Sequence, residues 1–146
     1  RLIDAPVDDR PGVTIVTTGP MAPESVAAAA ELDAEGVAAT VVHLTSPGRV
    51  YRSARSAYTS VVDGAVVRRP SHLHRLVPAG ERDRPVVSVH DAASHSLSWI
   101  GSALGTRQLS LGVDRFGESG TIADLHEVTG ISAGDIVNAA LVAITE

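Results

Sequence analysis

VTIVTTGPMAPESVAAAAELDAEGVAATVVHL, residues 13–44, is the stretch that decides the fold class. Its first six residues are all β-branched and predict a buried strand, which Gly19-Pro20 ends. Pro23 fits the first turn of a helix that stops at Gly36, and Val37 to Leu44 predicts a second strand. A strand, a helix and a strand within about 32 residues have the spacing of a parallel crossover unit. The sequence therefore predicts an α/β fold.

The remaining elements extend this pattern to a three-layer α/β/α domain with a mostly parallel sheet. Turn residues and apolar periodicity predict a helix from Arg49 to Val62, followed by an irregular stretch over 63–85 that contains a short helix from Leu73 to Val77. A strand Val86–Val89, a helix from Ser94 to Leu104 and a strand Gln108–Leu111 come next. Two capped helices follow, one starting after Thr121 and ending at Gly130, the other starting after Ser132. Ile131 and Ile136 are spaced as a hydrophobic staple for the last helix.

Composition excludes several classes of function. A net charge of −5 and a pI near 5.6 give no basic surface for nucleic acid or an anionic membrane. Cysteine and lysine are both absent, which excludes a thiolate site, a Walker-type phosphate loop and a Schiff-base lysine within this chain. The lack of cysteine suits the cytoplasm, where we expect the protein to act. The apolar runs are short of about 20 residues, so we expect no membrane span and no signal peptide.

The domain is expected to cover residues 13–146. Residues 1–12 contain two prolines and several charges, and we interpret them as a linker from a preceding domain. The length suits one domain with a substantial core.

Loops at the carboxyl ends of parallel strands converge at one edge of the sheet, so they form the first candidate site. The candidate residues in these loops are Thr18, Ser46, His90, Asp91 and His95. His90 and Asp91 directly follow a strand and suit an acid/base pair or the start of a metal site. The alternative is that one of them caps the following helix. A zinc site needs further ligands, and spacing marks no third one.

A second candidate is the loop Gly112-Val113-Asp114-Arg115-Phe116-Gly117-Glu118-Ser119-Gly120, hereafter the signature loop. It precedes a helix N-terminus, which favours anions, whereas Glu118 repels them. The alternative is a structural loop whose glycines permit positive φ.

Other polar groups have simpler interpretations. Arg49, Arg52 and Arg55 lie on one side of a predicted helix. This side is interpreted as a solvated face, and the alternative is a docking face for an acidic partner. His72 and His74 indicate solvated surface, and Trp99 indicates core or interdomain packing. Gly-x-Ser-x-Gly occurs once, from Gly130 to Gly134, but it lies between two predicted helices and not at the strand-to-helix turn of a hydrolase elbow. Gly-x-Gly-x-x-Gly does not occur, so neither a serine hydrolase nor a dinucleotide site is indicated.

Together these segments resemble the C-terminal domain of the transketolase family of thiamine diphosphate enzymes. The signature loop, above all Gly112, Asp114, Phe116, Gly117 and Ser119, is similar to that family's Gly-Ile/Val-Asp-x-Phe-Gly-x-Ser pattern. The tail from Gly130 to Val137 resembles its closing Gly-Leu/Ile-Thr/Ser-…-Ile-Val pattern. The resemblance covers residues 11–145. It implies a mixed sheet of about five strands, one of them antiparallel.

Within the family, the segment from His90 to Leu97, with closely spaced histidines, resembles the homodimeric pyruvate dehydrogenase first component. Ala92-Ala93-Ser94 departs from that pattern, because the resemblance implies a glycine and a further histidine or proline at these positions. Transketolase proper, which transfers ketol groups between sugar phosphates, is the alternative branch.

The resemblance also implies what lies outside this chain. The family binds the cofactor diphosphate and its metal through Gly-Asp-Gly followed by asparagines, a motif that this sequence does not contain. We therefore assign no catalytic, cofactor or metal residue here and expect thiamine diphosphate and Mg²⁺ in the full-length enzyme. The implied role is structural, within a homodimer and against preceding domains, and the fragment alone is expected to be inactive. One alternative is a module that binds either a partner, such as the acyltransferase component of a dehydrogenase complex, or a small anion. The other alternative is a small α/β hydrolase.

Overall fold

The structure, a computed structural model, describes residues 1–59 and 70–145. Within them, one sheet contains the strands β1 (Gly12–Thr17), β2 (Ala38–His43), β3 (Val86–Val89) and β4 (Gln108–Leu111). The spatial order is β2-β1-β3-β4, and every neighbouring pair of these strands is parallel. The β-branched residues of 13–18 form the centre of the sheet, which confirms the α/β fold and the crossover unit.

Antiparallel pairing is confined, in the described residues, to an isolated bridge between Ile3 and Val41. Leu2 and Ile3 donate to the Val41 carbonyl, and Val41 donates back to the Ile3 carbonyl. About five strands were expected, one of them antiparallel. In place of a fifth strand, this bridge pairs one residue with β2. Pro6 and Pro11 lack the N–H that a longer ladder requires, which limits pairing along this segment.

Helices cover both faces of the sheet, so the expected three layers are present. The α-helices are α1 (Ala22–Ala34), α2 (Pro47–Thr59), α3 (His72–Leu76), α4 (Trp99–Leu104), α5 (Ile122–Thr129) and α6 (Ala133–Thr145). Short 3₁₀ helices occupy Gly19–Met21, Ala79–Glu81 and Ser94–Leu97.

Each face of the sheet packs on its own core. Val13 and Ile15 contact the core under α1 and α6, whereas Val16 contacts the core under α2 and α4. The alternation follows from the two-residue period of a strand. All three side chains are fully buried, as expected for a central strand covered on both faces.

Helix boundaries match the sequence prediction with three differences, the smallest of which is α3, displaced by one residue from the expected Leu73–Val77. The helix expected from Arg49 begins earlier, at Pro47, and its predicted end at Val62 lies outside the described residues. The helix expected over 94–104 is a 3₁₀ turn followed by α4, which ends at Gly105 with φ +80°. Only glycine adopts that backbone conformation readily, so the predicted stop is confirmed.

The two C-terminal helices begin as predicted. Thr121 and Asp124 form a reciprocal capping box at α5, and Gly130 ends that helix with φ +72°. Ser132 and Asp135 exchange the corresponding hydrogen bonds at α6. Ile131 and Ile136 are both buried, consistent with the predicted staple.

The stretch Ile122–Thr145 is apolar and long enough to cross a membrane by length and composition alone, which differs from the sequence expectation. The structure divides it at Gly130 into two helices. The second, α6, buries its apolar side against α1 and the sheet, which is the packing of a core helix.

Of the segment 1–12, Gly12 begins β1, and residues 1–11 lie along the domain surface. The Arg1 guanidinium contacts the buried Glu81 carboxylate at 2.8 Å and the Leu76 carbonyl at 3.0 Å. Asp4 also pairs with Arg1, and these carboxylates raise the pKa of Arg1 against the opposing effect of burial. The assignment of this segment as an interdomain linker stays a prediction.

Candidate functional site

The loops that follow β1, β2 and β3 meet at the carboxyl edge of the sheet. Thr18 donates a 2.7 Å hydrogen bond to the Leu44 carbonyl, which joins the first loop to the second. Gly19 has φ +62°, and a Cβ on it would lie 3.0 Å from Asp91 Oδ1, which joins the first loop to the third. Because the connections from β1 and β3 run in opposite directions, this is the point where α/β sheets form ligand crevices.

Two predicted site residues, His90 and His95, line one pocket at this edge. Its volume is about 460 Å³. The other lining residues come from the start of α2 and from the segment before and within α4, namely Pro47, Gly48, Tyr51, Ser96, Leu97 and Trp99. His90 Nδ1 lies 3.2 Å from Asp91 Oδ1 without the alignment of a hydrogen bond. The structure thus places the two histidines together, with Asp91 adjacent.

Thr18 and Ser46 lie elsewhere. The Thr18 hydroxyl is buried and bonded internally, so it is a structural group. Ser46 precedes α2 and lines a separate pocket of about 490 Å³ together with Arg49 and His72. The predicted five-residue site is therefore not one pocket: the two histidines line one, Ser46 lines its neighbour across the α2 N-terminus, and Thr18 and Asp91 line neither.

The sequence alternative that His90 or Asp91 caps the helix after β3 is wrong, because a different residue accepts the hydrogen bond. Neither His90 nor Asp91 caps the 3₁₀ turn at Ser94; the Ser94 backbone N–H donates to Asp114 Oδ1 at 2.9 Å. This contact holds the pKa of Asp114 below its ordinary value, and His95 lowers it further. The cap comes from 20 residues away because the signature loop folds over this turn, a contact that local spacing does not encode.

The N-terminal part of the signature loop is packed against the loop after β3. Val113 donates a 2.9 Å hydrogen bond to the Ala92 carbonyl. A Cβ on Gly112 would lie 2.5 Å from the Ala92 oxygen and from Ser94 N and Cα, so only glycine permits this approach. The structural interpretation of Gly112 and Asp114 therefore fits the geometry.

The rest of the signature loop projects into solvent. Phe116 and Ser119 are exposed, the former completely, and Gly117 has φ +87° with open space around it. The following helix α5 contains no buried residue, and Ile122 and Val128 on it are 74% and 51% exposed. This exposed apolar set, Phe116 with Ile122 and Val128, is called the α5 surface below.

Gln108 is a structural residue that the sequence did not mark. Its side-chain oxygen accepts a 2.5 Å hydrogen bond from Gly101 N, and its nitrogen lies 2.9 Å from the Leu97 carbonyl. The same nitrogen lies near the hydroxyls of Ser88 and Ser110. These bonds join β4 to α4 and position Trp99, which packs on the α2-side core and against the Tyr51 ring.

The remaining predicted groups lie at the surface except His74, which is half-buried where solvated surface was expected. Arg49, Arg52 and Arg55 are exposed on α2. The His74 ring is 2.7 Å from the Ser71 hydroxyl, and the His72 backbone N–H donates to Ser53.

The described residues do not fit a thiamine diphosphate or Mg²⁺ site. Among residues 1–59 and 70–145, no three His, Asp or Glu side chains are grouped as metal ligands. Asp135, which follows Gly134, accepts hydrogen bonds from the Ser132 N–H and hydroxyl at 3.0 and 2.6 Å. Its carboxylate is thus committed to the start of α6.

Comparison with solved structures gives the same fold. A split-gene transketolase described as an inactive β4 tetramer is 29% identical, with a TM-score of 0.62 over 94% of this chain and 40% of its own. A mutant transketolase from Pichia stipitis in complex with xylulose 5-phosphate is 19% identical, with a TM-score of 0.61 over 94% of this chain and 17% of its own. A transketolase from Campylobacter jejuni subsp. jejuni is 21% identical, with a TM-score of 0.58 over 92% and 17%. The chain thus spans less than half of each of these proteins.

No curated protein matches the sequence. The model of the transketolase-like TK C-terminal domain matches residues 2–132, which include the four strands and the signature loop. The chain belongs to the family of transketolase-like C-terminal domains.

Proposed function

We propose that the chain acts as the C-terminal, assembly-forming domain of a thiamine diphosphate-dependent enzyme whose catalytic groups lie in other domains. The α5 surface carries this proposal. The helix α5 contains no buried residue and follows the completely exposed Phe116, and an exposed apolar patch of this kind indicates a protein–protein interface. Its apolar side chains have no core to join within the described residues.

The contacts that hold α5 leave this surface free for a partner. His126 Nδ1 lies 3.1 Å from Glu24 Oε1 of α1, so α5 is attached to the domain through a polar contact. The capping box at Thr121 satisfies its first N–H groups. The helix is therefore positioned by its ends and by this polar contact.

The proposed occupant of the α5 surface is the second subunit of a homodimer. The split-gene transketolase, which contains this fold, is described as a β4 tetramer, so a relative of this chain self-associates. Full burial of a Phe or Ile side chain contributes about 1.5–3 kcal/mol. Two such side chains on each subunit supply a substantial part of a dimer interface.

Sedimentation equilibrium of the full-length enzyme tests the interface. We expect Phe116→Ser to weaken the dimer at least 10-fold, since about 1.4 kcal/mol corresponds to a factor of ten. Val142→Ser is the matched control, because Val142 is a 45% exposed apolar residue of another helix, α6, and is not part of the α5 surface. Equal dimer constants for both variants would refute the proposed interface.

Calorimetry separates the structural role from a catalytic one. Thiamine diphosphate with Mg²⁺, titrated into this chain alone, is expected to give no binding heat, because the carboxylate of Gly134-Asp135 is already bonded within its own helix cap. Tight binding by the isolated chain would contradict the assignment of the cofactor site to other domains.

We further propose the pyruvate dehydrogenase-like branch, with a 2-oxoacid as substrate and an acyltransferase component as a further partner. The support is the segment from His90 to His95, whose two histidines line one pocket. The full-length enzyme is expected to decarboxylate pyruvate and to transfer no ketol group between sugar phosphates. Ketol transfer without pyruvate decarboxylation would favour transketolase proper.

A further inference from the structure

The pocket that contains His90 and His95 has the position and size of a small-molecule site. It opens at the carboxyl edge of the sheet, where the connections from neighbouring strands diverge. Its volume of about 460 Å³ lies within the range of ligand pockets. The proposed assembly role makes no use of it.

Aromatic rings form one wall of the pocket. The rings of Tyr51 and Trp99 meet edge to face, with centroids 5.2 Å apart and an interplanar angle of 63°. Trp99 is partly buried against the α2-side core, whereas Tyr51 remains 39% exposed. Fixed rings of this kind stack on planar ligands at little cost in side-chain entropy.

A cation lies beside the start of α2. The first turn of α2 contains no acidic residue, although a helix N-terminus favours negative charge. Arg52 extends back over this turn, and its Nη1 lies 3.8 Å from the position that a Cβ would take on Gly48. The Arg52 guanidinium forms no ion pair with any described residue.

The two histidines supply polar atoms to the same pocket as the rings. His90 Nδ1 is buried and has no hydrogen-bond partner among the described residues. His95 is exposed and lines the same pocket. None of the lining residues carries a carboxylate. The lining therefore combines aromatic faces, imidazole groups and a helix N-terminus, and Arg52 lies beside that N-terminus without lining the pocket itself.

We propose that this pocket binds a small planar aromatic molecule that carries an anionic group. The ring lies against Tyr51 and Trp99, and the anion lies at the first turn of α2 beside Arg52. Stacking selects the ring, and the arginine with the helix N-terminus selects the charge. This inference is independent of the proposed interface, because the pocket and the α5 surface share no residue.

The single tryptophan of the chain makes the test direct, because all tryptophan fluorescence comes from Trp99. Adenosine 5′-monophosphate is the probe that has both groups, and adenosine and inorganic phosphate each have one. We expect saturable quenching by the monophosphate, at least 10-fold weaker affinity for adenosine, and no quenching by phosphate. Absence of saturable quenching by the monophosphate up to 10 mM (roughly the weak end of specific binding) would overturn the proposal.

Variants on α2 locate the ligand. Arg52→Gln is expected to weaken the monophosphate 5- to 10-fold and to leave adenosine unchanged. Arg49→Gln is the matched control, because Arg49 lies on the same helix but lines the other pocket. Tyr51→Ala is expected to weaken both probes. Equal effects of the two arginine variants would indicate a diffuse charge effect and contradict the site.

Discussion

Gly112→Ala tests whether the signature loop is part of the architecture. In the native structure a Cβ at this position would lie 2.5 Å from Ala92 O, Ser94 N and Ser94 Cα. All three are backbone atoms, so no side-chain rotation can relieve the contact. The alanine must therefore push the signature loop away from the loop after β3.

The magnitude follows from what that displacement breaks. Overpacking in a fixed environment costs about 1–3 kcal/mol. The hydrogen bond from Val113 N to Ala92 O adds about 0.5–1.5 kcal/mol if it is lost. The bond from Ser94 N to Asp114 is exposed and is left out of the sum. We expect a loss of about 2–4 kcal/mol in the free energy of unfolding.

Urea denaturation followed by circular dichroism measures this loss, with Gly134→Ala as the control. A Cβ on Gly134 would meet nothing closer than 3.8 Å, and the residue lies in α6, so alanine there is expected to be neutral or to stabilise by up to about 1 kcal/mol. If Gly112→Ala unfolded within about 0.5 kcal/mol of the native protein, the signature loop would not be held as described.

Two further substitutions test contacts between distant segments. Asp114→Asn should lose the charge-assisted bond that the Asp114 carboxylate accepts from Ser94 N. The pKa of Asp114 is lowered in the folded state, so the ionised carboxylate stabilises the fold above the ordinary value of 3.8. This contribution is lost as the pH falls through the lowered pKa. The difference in stability between the native protein and this variant should therefore shrink in acid, and a constant difference across that range would contradict the assignment. Glu24→Ala should cost about 1.5–3 kcal/mol in urea unfolding, because Glu24 accepts from Ala133 N and pairs with His126. Glu24→Gln should cost less, since an amide oxygen still accepts from Ala133, and equal losses would contradict this reasoning.

The elements of the fold were predictable because their signals are local. The β-branched run from Val13 to Thr18, the glycine stops and the Thr121 capping box each act within a few residues. The antiparallel bridge at Ile3 was not, because pairing at a sheet edge depends on where a distant segment lies.

The candidate site was predictable only in part for the same reason. Carboxyl-end loops converge by topology, so His90 and His95 were expected to lie together, and they do. The cap supplied by Asp114 and the bonds of Gln108 connect residues of separate elements, and no spacing rule predicts them. Tyr51 was missed because an aromatic residue on a helix gives no sign of the loop it will face.

The position of α6 has a consequence for biosynthesis. This last helix packs on α1, which is about a hundred residues earlier in the chain, and it fills the core with Ile136 and Ala140. Contacts between such distant segments form late, because the intervening chain must first be ordered. As the chain leaves the ribosome, the sheet emerges before the helix that covers one of its faces. Completion of this core must therefore wait until translation has passed α6, and until then the uncovered apolar face is a target for chaperones.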